Sequence, residues 1–178
     1  MKHMASAVIA AGIVGSLISI PAAGAAASGI PKVRHGMKLS APNSTTALSV
    51  VASPAISAEN NSAVAGTPPQ FTSGECITYT GAKACFDKAT DNFWVLDSLA
   101  DGHSARNAWG NWLWDGSKWQ YYRYGDCTNS LGNGHWGVCD KDLYENSSTN
   151  ALGGQGSEVD VWACVVECSD QLEMANDA

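Results

Sequence analysis

Trp112-Leu-Trp-Asp-Gly-Ser-Lys-Trp-Gln-Tyr121 is the stretch of this sequence that decides the fold. It contains Gly116-Ser117, a two-residue loop with glycine first, which suits a type II′ turn between two antiparallel strands. The register that follows places Trp114 opposite Trp119 and Trp112 opposite Tyr121. Because successive side chains of a strand point to opposite faces, these four rings share one face of the predicted hairpin.

Turn signals recur on both sides of the hairpin, and no apolar period of 3.6 residues is sustained, so the pattern predicts an all-β fold. The predicted strands cover residues 76–80, 83–87, 93–97, 104–114, 119–125, 136–140 and 158–168. The expected architecture is a small, disulfide-stapled antiparallel sandwich or a partly open barrel. Aliphatic residues are few in this region, so aromatic rings and disulfides must supply much of the core.

The composition of the chain divides it into four parts. Residues 1–27 are predicted to be a signal peptide, because a weakly basic start and an apolar run precede small residues with A-x-A cleavage sites. Residues 28–70 lack aromatic residues and cysteine and are predicted to be a disordered, low-complexity linker, with a propeptide as the alternative. Residues 71–170 form the predicted β domain, and residues 171–178 form a polar tail.

The export signal and the charge of the chain limit the partners that the sequence predicts. A cleaved signal peptide makes the protein secreted and extracellular, and its apolar run is short for a membrane span of about 20 residues. The formal net charge is −7 and no cluster of Lys and Arg occurs. Nucleic acid and anionic membranes are therefore not expected partners, because both bind through basic groups.

Six cysteines in an exported chain predict three disulfides. Cys164 and Cys168 on one straight strand would point the same way about 13 Å apart, whereas a disulfide needs Cα atoms within about 7 Å. We therefore expect each of them to pair with Cys76 or Cys85, in an order that the spacing leaves open. That assignment leaves Cys127 to pair with Cys139 across a glycine-rich loop.

The shared face of the hairpin is the strongest functional lead in the sequence. Rings set side by side on a rigid sheet can stack on sugar faces, while indole and phenol groups keep polar atoms for sugar hydroxyls. The candidate ligand-binding residues are Trp112, Trp114, Trp119 and Tyr121, with Arg123 continuing the same face. The alternative interpretation is that these rings form the core, since the domain has little else to bury.

Catalytic and metal-binding patterns are sparse. Asp101-Gly-His-Ser104 contains the residue types of a hydrolase triad, but near-adjacent residues cannot align in that way, and a turn explains the stretch. His135 is expected on a surface loop. The acidic residues around Asp140 and Asp142 lack the spacing of a calcium loop. The sequence therefore predicts no catalytic residue, no metal site and no cofactor.

Several short motifs resemble a group of small secreted proteins from actinobacteria. They are Cys85-Phe, Phe93-Trp-Val-Leu-Asp, Ala100-Asp-Gly-His-Ser-Ala, Cys127-Thr-Asn and Trp136-Gly-Val-Cys-Asp. The resemblance covers about residues 85–142 and implies that Cys127 and Cys139 recur as a pair, in agreement with the assignment above. Because this group has no established activity, the resemblance supplies no site residue.

Three functional hypotheses remain open. The first is a secreted, non-catalytic binding module that uses the aromatic face to bind an extracellular polysaccharide, either a glycan or a cell-wall polymer. The second is a secreted factor that binds a protein, such as an enzyme inhibitor or an antagonistic toxin, because a disulfide-rich acidic module suits a basic partner. The third is a small extracellular hydrolase, which ranks last because no nucleophile and base stand out.

Overall fold

The structure, a computed structural model, describes Ala41 and residues 58–177. The predicted signal peptide and most of the predicted linker lie outside the described residues. The described part is all-β and contains no helix. Its strands are β1 (Asn61–Ser62), β2 (Val64–Ala65), β3 (Cys76–Tyr79), β4 (Ala82–Asp87), β5 (Asn92–Asp97), β6 (Ala105–Trp114), β7 (Trp119–Asn129), β8 (Trp136–Cys139), β9 (Ser157–Cys164) and β10 (Leu172–Ala175).

The strands form two five-stranded sheets, which confirms the predicted all-β, sandwich-like class. Sheet A has the order β1-β7-β6-β9-β10, and sheet B has the order β2-β8-β5-β4-β3. Neighbouring strands are antiparallel except for β1 and β7, which are parallel. The β6–β7 hairpin has the predicted register, with Trp112 opposite Tyr121 and Trp114 opposite Trp119.

Aromatic rings from both sheets fill the space between them, as the shortage of aliphatic residues requires. Trp109 of sheet A stacks on Phe93 of sheet B with ring centroids 4.8 Å apart, and Phe93 contacts Phe86 at 4.9 Å. All three side chains are fully buried. The buried amide of Asn107 crosses the same interface and donates hydrogen bonds to the carbonyls of Cys85 and Trp94. This core fixes the orientation of sheet A and therefore of the hairpin.

The fold begins before the predicted boundary at Phe71, so the prediction of a disordered linker is wrong for residues 58–70. β1 pairs with β7, and β2 pairs with β8. These two strands bury little apolar surface, which is why composition does not reveal them; backbone hydrogen bonds and ion pairs attach them instead. Gly125 allows the close approach, because a Cβ at that position would collide with the backbone of Glu59.

The C-terminal segment also belongs to the fold, although the sequence predicts a polar tail from residue 171. β10 pairs with β9, with Leu172 opposite Val161 and Met174 opposite Val159. Met174 is buried, and Leu172 packs against the same core. Only two apolar residues alternate here between polar neighbours, so the strand pattern is too short to predict from the sequence.

The structure contains three disulfides, two of which contradict the predicted pairing. Cys127 pairs with Cys139 as predicted, with Cα atoms 5.8 Å apart. Cys76 pairs with Cys85, and Cys164 pairs with Cys168, so neither of the last two reaches β3 or β4. The prediction assumed one straight strand over 158–168. β9 instead ends at Cys164, and a tight turn returns Cys168 to a bridge opposite it, with Cα atoms 4.0 Å apart.

Candidate functional site

The predicted aromatic face lies on the outer side of sheet A, away from sheet B. Along β6, Trp109 points into the core between the sheets, so the alternate side chains of Ala108 and Trp112 point outward. Ala108 packs there with Trp162 in a small cluster separate from the main core. The face therefore belongs to a sheet surface that is not part of the sandwich interior.

Two pairs of rings face each other across the hairpin on this surface. The first, which we call the buried pair, is Trp112 and Tyr121, with centroids 4.8 Å apart and planes at 63°. Only 4% of Trp112 and 8% of Tyr121 is exposed. The indole Nε1 of Trp112 donates a hydrogen bond of 2.8 Å to Oδ2 of Asp160. These two rings are structural, as the alternative interpretation of the sequence expects.

The second pair, which we call the tip pair, is Trp114 and Trp119, with centroids 5.6 Å apart and planes at 66°. Both side chains are half-buried, and the indole Nε1 of Trp119 is itself buried. The loop beside them is held by Asp115, whose carboxylate accepts hydrogen bonds from the backbone of Lys118 and the side chain of Gln120. These bonds, the one from Gln120 foremost, lower the pKa of Asp115. The tip pair therefore stands on an ordered turn.

Arg123 does not join the four rings, which corrects the prediction that it continues their face. The register shifts between Asn111 and Trp112, so that Asn111 lies opposite Arg123 and Tyr122 is an extra residue on β7. Such a bulge reverses the alternation of side chains beyond it. Tyr124 takes the predicted place of Arg123 and stacks on Tyr121 with centroids 5.8 Å apart. No turn residue in the sequence marks this bulge.

Arg123 is instead the centre of an ion-pair cluster that holds the first strands. Its Nε and Nη2 donate to the two carboxylate oxygens of Glu59 at 2.7 and 2.9 Å, and Nζ of Lys141 donates to the same carboxylate at 2.9 Å. The hydrogen bond from Arg123 is the main reason that the pKa of Glu59 falls to about 2, and Lys141 adds to the effect against the opposing influence of burial. The same bond raises the pKa of Arg123.

A groove of about 300 Å³ lies beside this cluster. Of its lining residues, the sequence analysis named only Arg123 as a candidate binding residue. Its lining residues are Tyr122, Arg123, Asp142, Leu143 and Tyr144. The rings of Tyr122 and Tyr144 approach to 6.2 Å with planes at 60°. The wall of the groove is fixed, because the backbone N–H of Leu143 donates to the buried carboxylate of Asp91 at 2.8 Å. The groove offers two phenols, a guanidinium and a carboxylate to a ligand.

The residues considered for catalysis lie apart from these surfaces on exposed loops. The backbone N–H of His103 donates to the carboxylate of Asp101 at 2.9 Å, and Gly102 has a φ of 80°, which confirms the predicted turn. His103 and His135 are both exposed.

Within residues 58–177 no three His, Cys, Asp or Glu side chains are grouped so that they could hold a metal ion. The same part of the chain contains no helix long and apolar enough to cross a membrane.

No family model, curated protein or solved structure matches this chain. The tip pair, the groove and the chemistry of the outer face of sheet A are therefore the features that indicate a function.

Proposed function

We propose that this chain is a secreted, non-catalytic binding module whose ligand is a glycan or a cell-wall polymer. The observation that carries the proposal is the tip pair, two half-buried tryptophans with ring planes at 66° on a turn that is held by side-chain hydrogen bonds. The three disulfides and the apolar start of the chain support secretion, because disulfides persist mainly in oxidising compartments.

The geometry of the tip pair suits a pyranose ring. The face of one indole can receive the apolar C–H side of a sugar while the edge of the other limits its lateral position. Hydroxyl groups around the sugar rim need polar partners nearby, and the turn supplies Asp115, Lys118 and Gln120. Preorganised rings lose little conformational entropy on binding, so even a small contact area contributes usefully to affinity.

The groove is a second polar surface, which lies beside Arg123 and includes neither ring of the tip pair. Tyr122 lies on β7 three residues after Trp119 and presents a phenol that can both donate and accept hydrogen bonds. Because the charge of Arg123 is already compensated by Glu59, its guanidinium favours hydroxyl groups over a free anion. The arrangement therefore suits a neutral polysaccharide better than an acidic one.

The test is retention of the protein on insoluble chitin, cellulose and purified bacterial cell wall. We compare the parent with Trp119→Ala, and with Trp136→Ala as a matched control, because Trp136 is a half-buried tryptophan on sheet B. Retention of the parent and the control, with at least a tenfold weaker interaction for Trp119→Ala, would support the proposal. Retention of none of the three proteins, or equal retention of all three, would overturn it.

A further inference from the structure

The groove beside Arg123 presents a carboxylate to solvent. This group belongs to Asp142, which is exposed. No side chain within residues 58–177 donates a hydrogen bond to the carboxylate of Asp142. Only its backbone carbonyl is used, as the acceptor of a hydrogen bond of 2.6 Å from Nη1 of Arg123. The carboxylate can therefore accept hydrogen bonds from a ligand.

The cations near the groove are held by other groups of the protein. Nε and Nη2 of Arg123 donate to the carboxylate of Glu59. The pKa of Arg123 is raised chiefly by its hydrogen bond with Glu59, and the charge of Asp142 is a smaller cause. Only 8% of the Lys141 side chain is exposed, and its Nζ lies 5.2 Å from the ring centroid of Trp109 in the core. The exposed charge of the groove is therefore negative.

Two tyrosine rings form a corner in the same groove. Tyr122 and Tyr144 are half-buried, with ring centroids 6.2 Å apart and planes at 60°. A cation on the open side of this corner can lie within about 6 Å of both centroids, the range in which the negative face of an aromatic ring attracts positive charge. Tyr144 is two residues after Asp142, and both line the groove. The rings and the carboxylate thus favour the same kind of ligand, a cation.

The wall that carries Asp142 and Tyr144 is fixed from behind. The carbonyl of Tyr144 accepts a hydrogen bond of 3.1 Å from Nδ2 of Asn176, and the backbone N–H of Leu143 donates to Asp91. Both anchoring side chains are buried. A ligand therefore spends little free energy on ordering the site, which matters most for a small group.

The apolar part of the lining selects among cations. Leu143 and the two tyrosine rings offer surface on which methylene groups pack, whereas an amino sugar would place hydroxyl groups there. A lysine side chain combines a flexible methylene stem with a compact ammonium group. It therefore matches both the apolar and the acidic part of the groove. The net charge of −7 also attracts a basic segment from a distance.

We propose that the groove binds a lysine side chain of a partner protein. The ammonium group lies between the carboxylate of Asp142 and the rings of Tyr122 and Tyr144, and the methylene stem packs on Leu143. The groove contains neither ring of the tip pair, so the inference goes beyond the proposed glycan binding and does not depend on it. The chain then has two separate binding surfaces, one for a sugar and one for a basic protein segment.

Titration of the oxidised protein with Nα-acetyl-lysine amide tests the inference, with the backbone amide signals of Tyr122 and Tyr144 followed in ¹⁵N-resolved NMR spectra. We expect saturable shifts of both signals. Nα-acetyl-norleucine amide has the stem but no ammonium group and should bind about tenfold more weakly, because the ion pair and the cation–π contact are lost. Glucosamine, which carries its ammonium group on a sugar, should also bind about tenfold more weakly, because hydroxyl groups replace the stem on the apolar lining.

Two pairs of variants locate the ligand in the groove. Asp142→Asn removes the charge with little change of shape and should weaken binding of the lysine amide about fivefold. Asp140→Asn, at an exposed carboxylate two residues earlier, is the control and should change binding by less than about twofold. Tyr144→Leu should weaken binding about threefold through loss of the ring face, whereas Tyr144→Phe keeps the ring and should bind like the parent.

Several results would refute the inference. The absence of saturable shifts with the lysine amide is the first, and equally tight binding of the norleucine amide is the second. Binding of glucosamine at least as tight as that of the lysine amide would assign the groove to a sugar instead. An Asp142→Asn variant that binds as tightly as the parent, or no more weakly than Asp140→Asn, would place the ligand elsewhere. None of these results uses retention on a glycan, so failure here and failure of the proposed function are separate outcomes.

Discussion

The buried pair and the tip pair are the same kind of contact, two residues apart on one face of one hairpin, yet their surroundings differ. Trp112 lies beside β9, and both Trp112 and Tyr121 are almost inaccessible. Trp114 and Trp119 lie where the hairpin reaches its turn and are half-buried. Trp112 donates to a buried carboxylate. Position along the ribbon, and not residue type, therefore separates rings that stabilise the fold from rings that remain accessible to a ligand.

Among the variants that test this comparison, Trp112→Ala should cause the largest loss in the free energy of unfolding. Removal of a fully packed indole leaves a cavity and deprives Asp160 of the indole donor, so the free energy of unfolding should fall by about 3–5 kcal/mol. Urea denaturation followed by far-UV circular dichroism measures the loss. A change below about 1 kcal/mol would show that the buried pair is not structural.

Gly110→Ala should have the next largest effect. A Cβ at this position would lie 2.8 Å from the ring of Tyr121, so the ring must move or β6 must shift. We expect a loss of about 2 kcal/mol, typical of overpacking, with a changed near-UV spectrum. Gly116→Ala is the control: its Cβ meets nothing within 4 Å, and its φ of 97° costs about 1 kcal/mol without moving the rings. Equal near-UV spectra for both variants would contradict the close packing of Tyr121 on Gly110.

Trp119→Ala should cost about 1–2 kcal/mol, from one cross-strand ring contact and partial burial. This smaller loss separates the tip pair from the buried pair, and thermal unfolding at neutral pH measures it. If Trp119→Ala destabilises the protein as much as Trp112→Ala, the two pairs are equivalent and the comparison fails.

Glu59→Gln should give the smallest effect, about 1 kcal/mol at pH 7, because solvent screens the partly exposed cluster. The pKa of Glu59 is lowered from 4.5 to about 2, so its contribution is complete above pH 4.5 and disappears as the pH falls towards 2. The unfolding free energies of the parent and the variant should therefore converge over that interval. A difference that is constant between pH 7 and pH 2 would contradict the ion-pair account.

The hairpin and its register could be predicted from the sequence because both depend on local chemistry, a glycine-first turn between alternating rings. The position of Arg123 could not, because it depends on a bulge at Tyr122 that no local residue specifies. The pairing of Cys164 was predicted wrongly for a related reason. Alternation of apolar residues continues past the point where β9 ends, so the sequence shows no sign of the tight turn.

The ends of the fold were missed because long-range contacts create them. Glu59 is held by Arg123 and Lys141, both more than 60 positions away in the sequence, with separations of 64 and 82. β10 is specified by pairing with β9 and by only two inward side chains, Leu172 and Met174. The half-burial of the tip pair likewise depends on where β9, the strand beside β6, begins along the hairpin. The alternation of side chains in the sequence does not predict that position.

The measurement that tests the central claim most directly is a titration followed by the indole N–H signals in a ¹⁵N-resolved NMR spectrum, assigned by single Trp→Phe variants. A soluble chitin oligosaccharide and soluble cell-wall fragments are the ligands. The account predicts saturable shifts of the Trp114 and Trp119 signals with at least one of them, while the Trp112 signal stays in place. Shifts of the Trp112 signal without shifts of the tip pair, or no shift of the tip pair with either ligand, would contradict it.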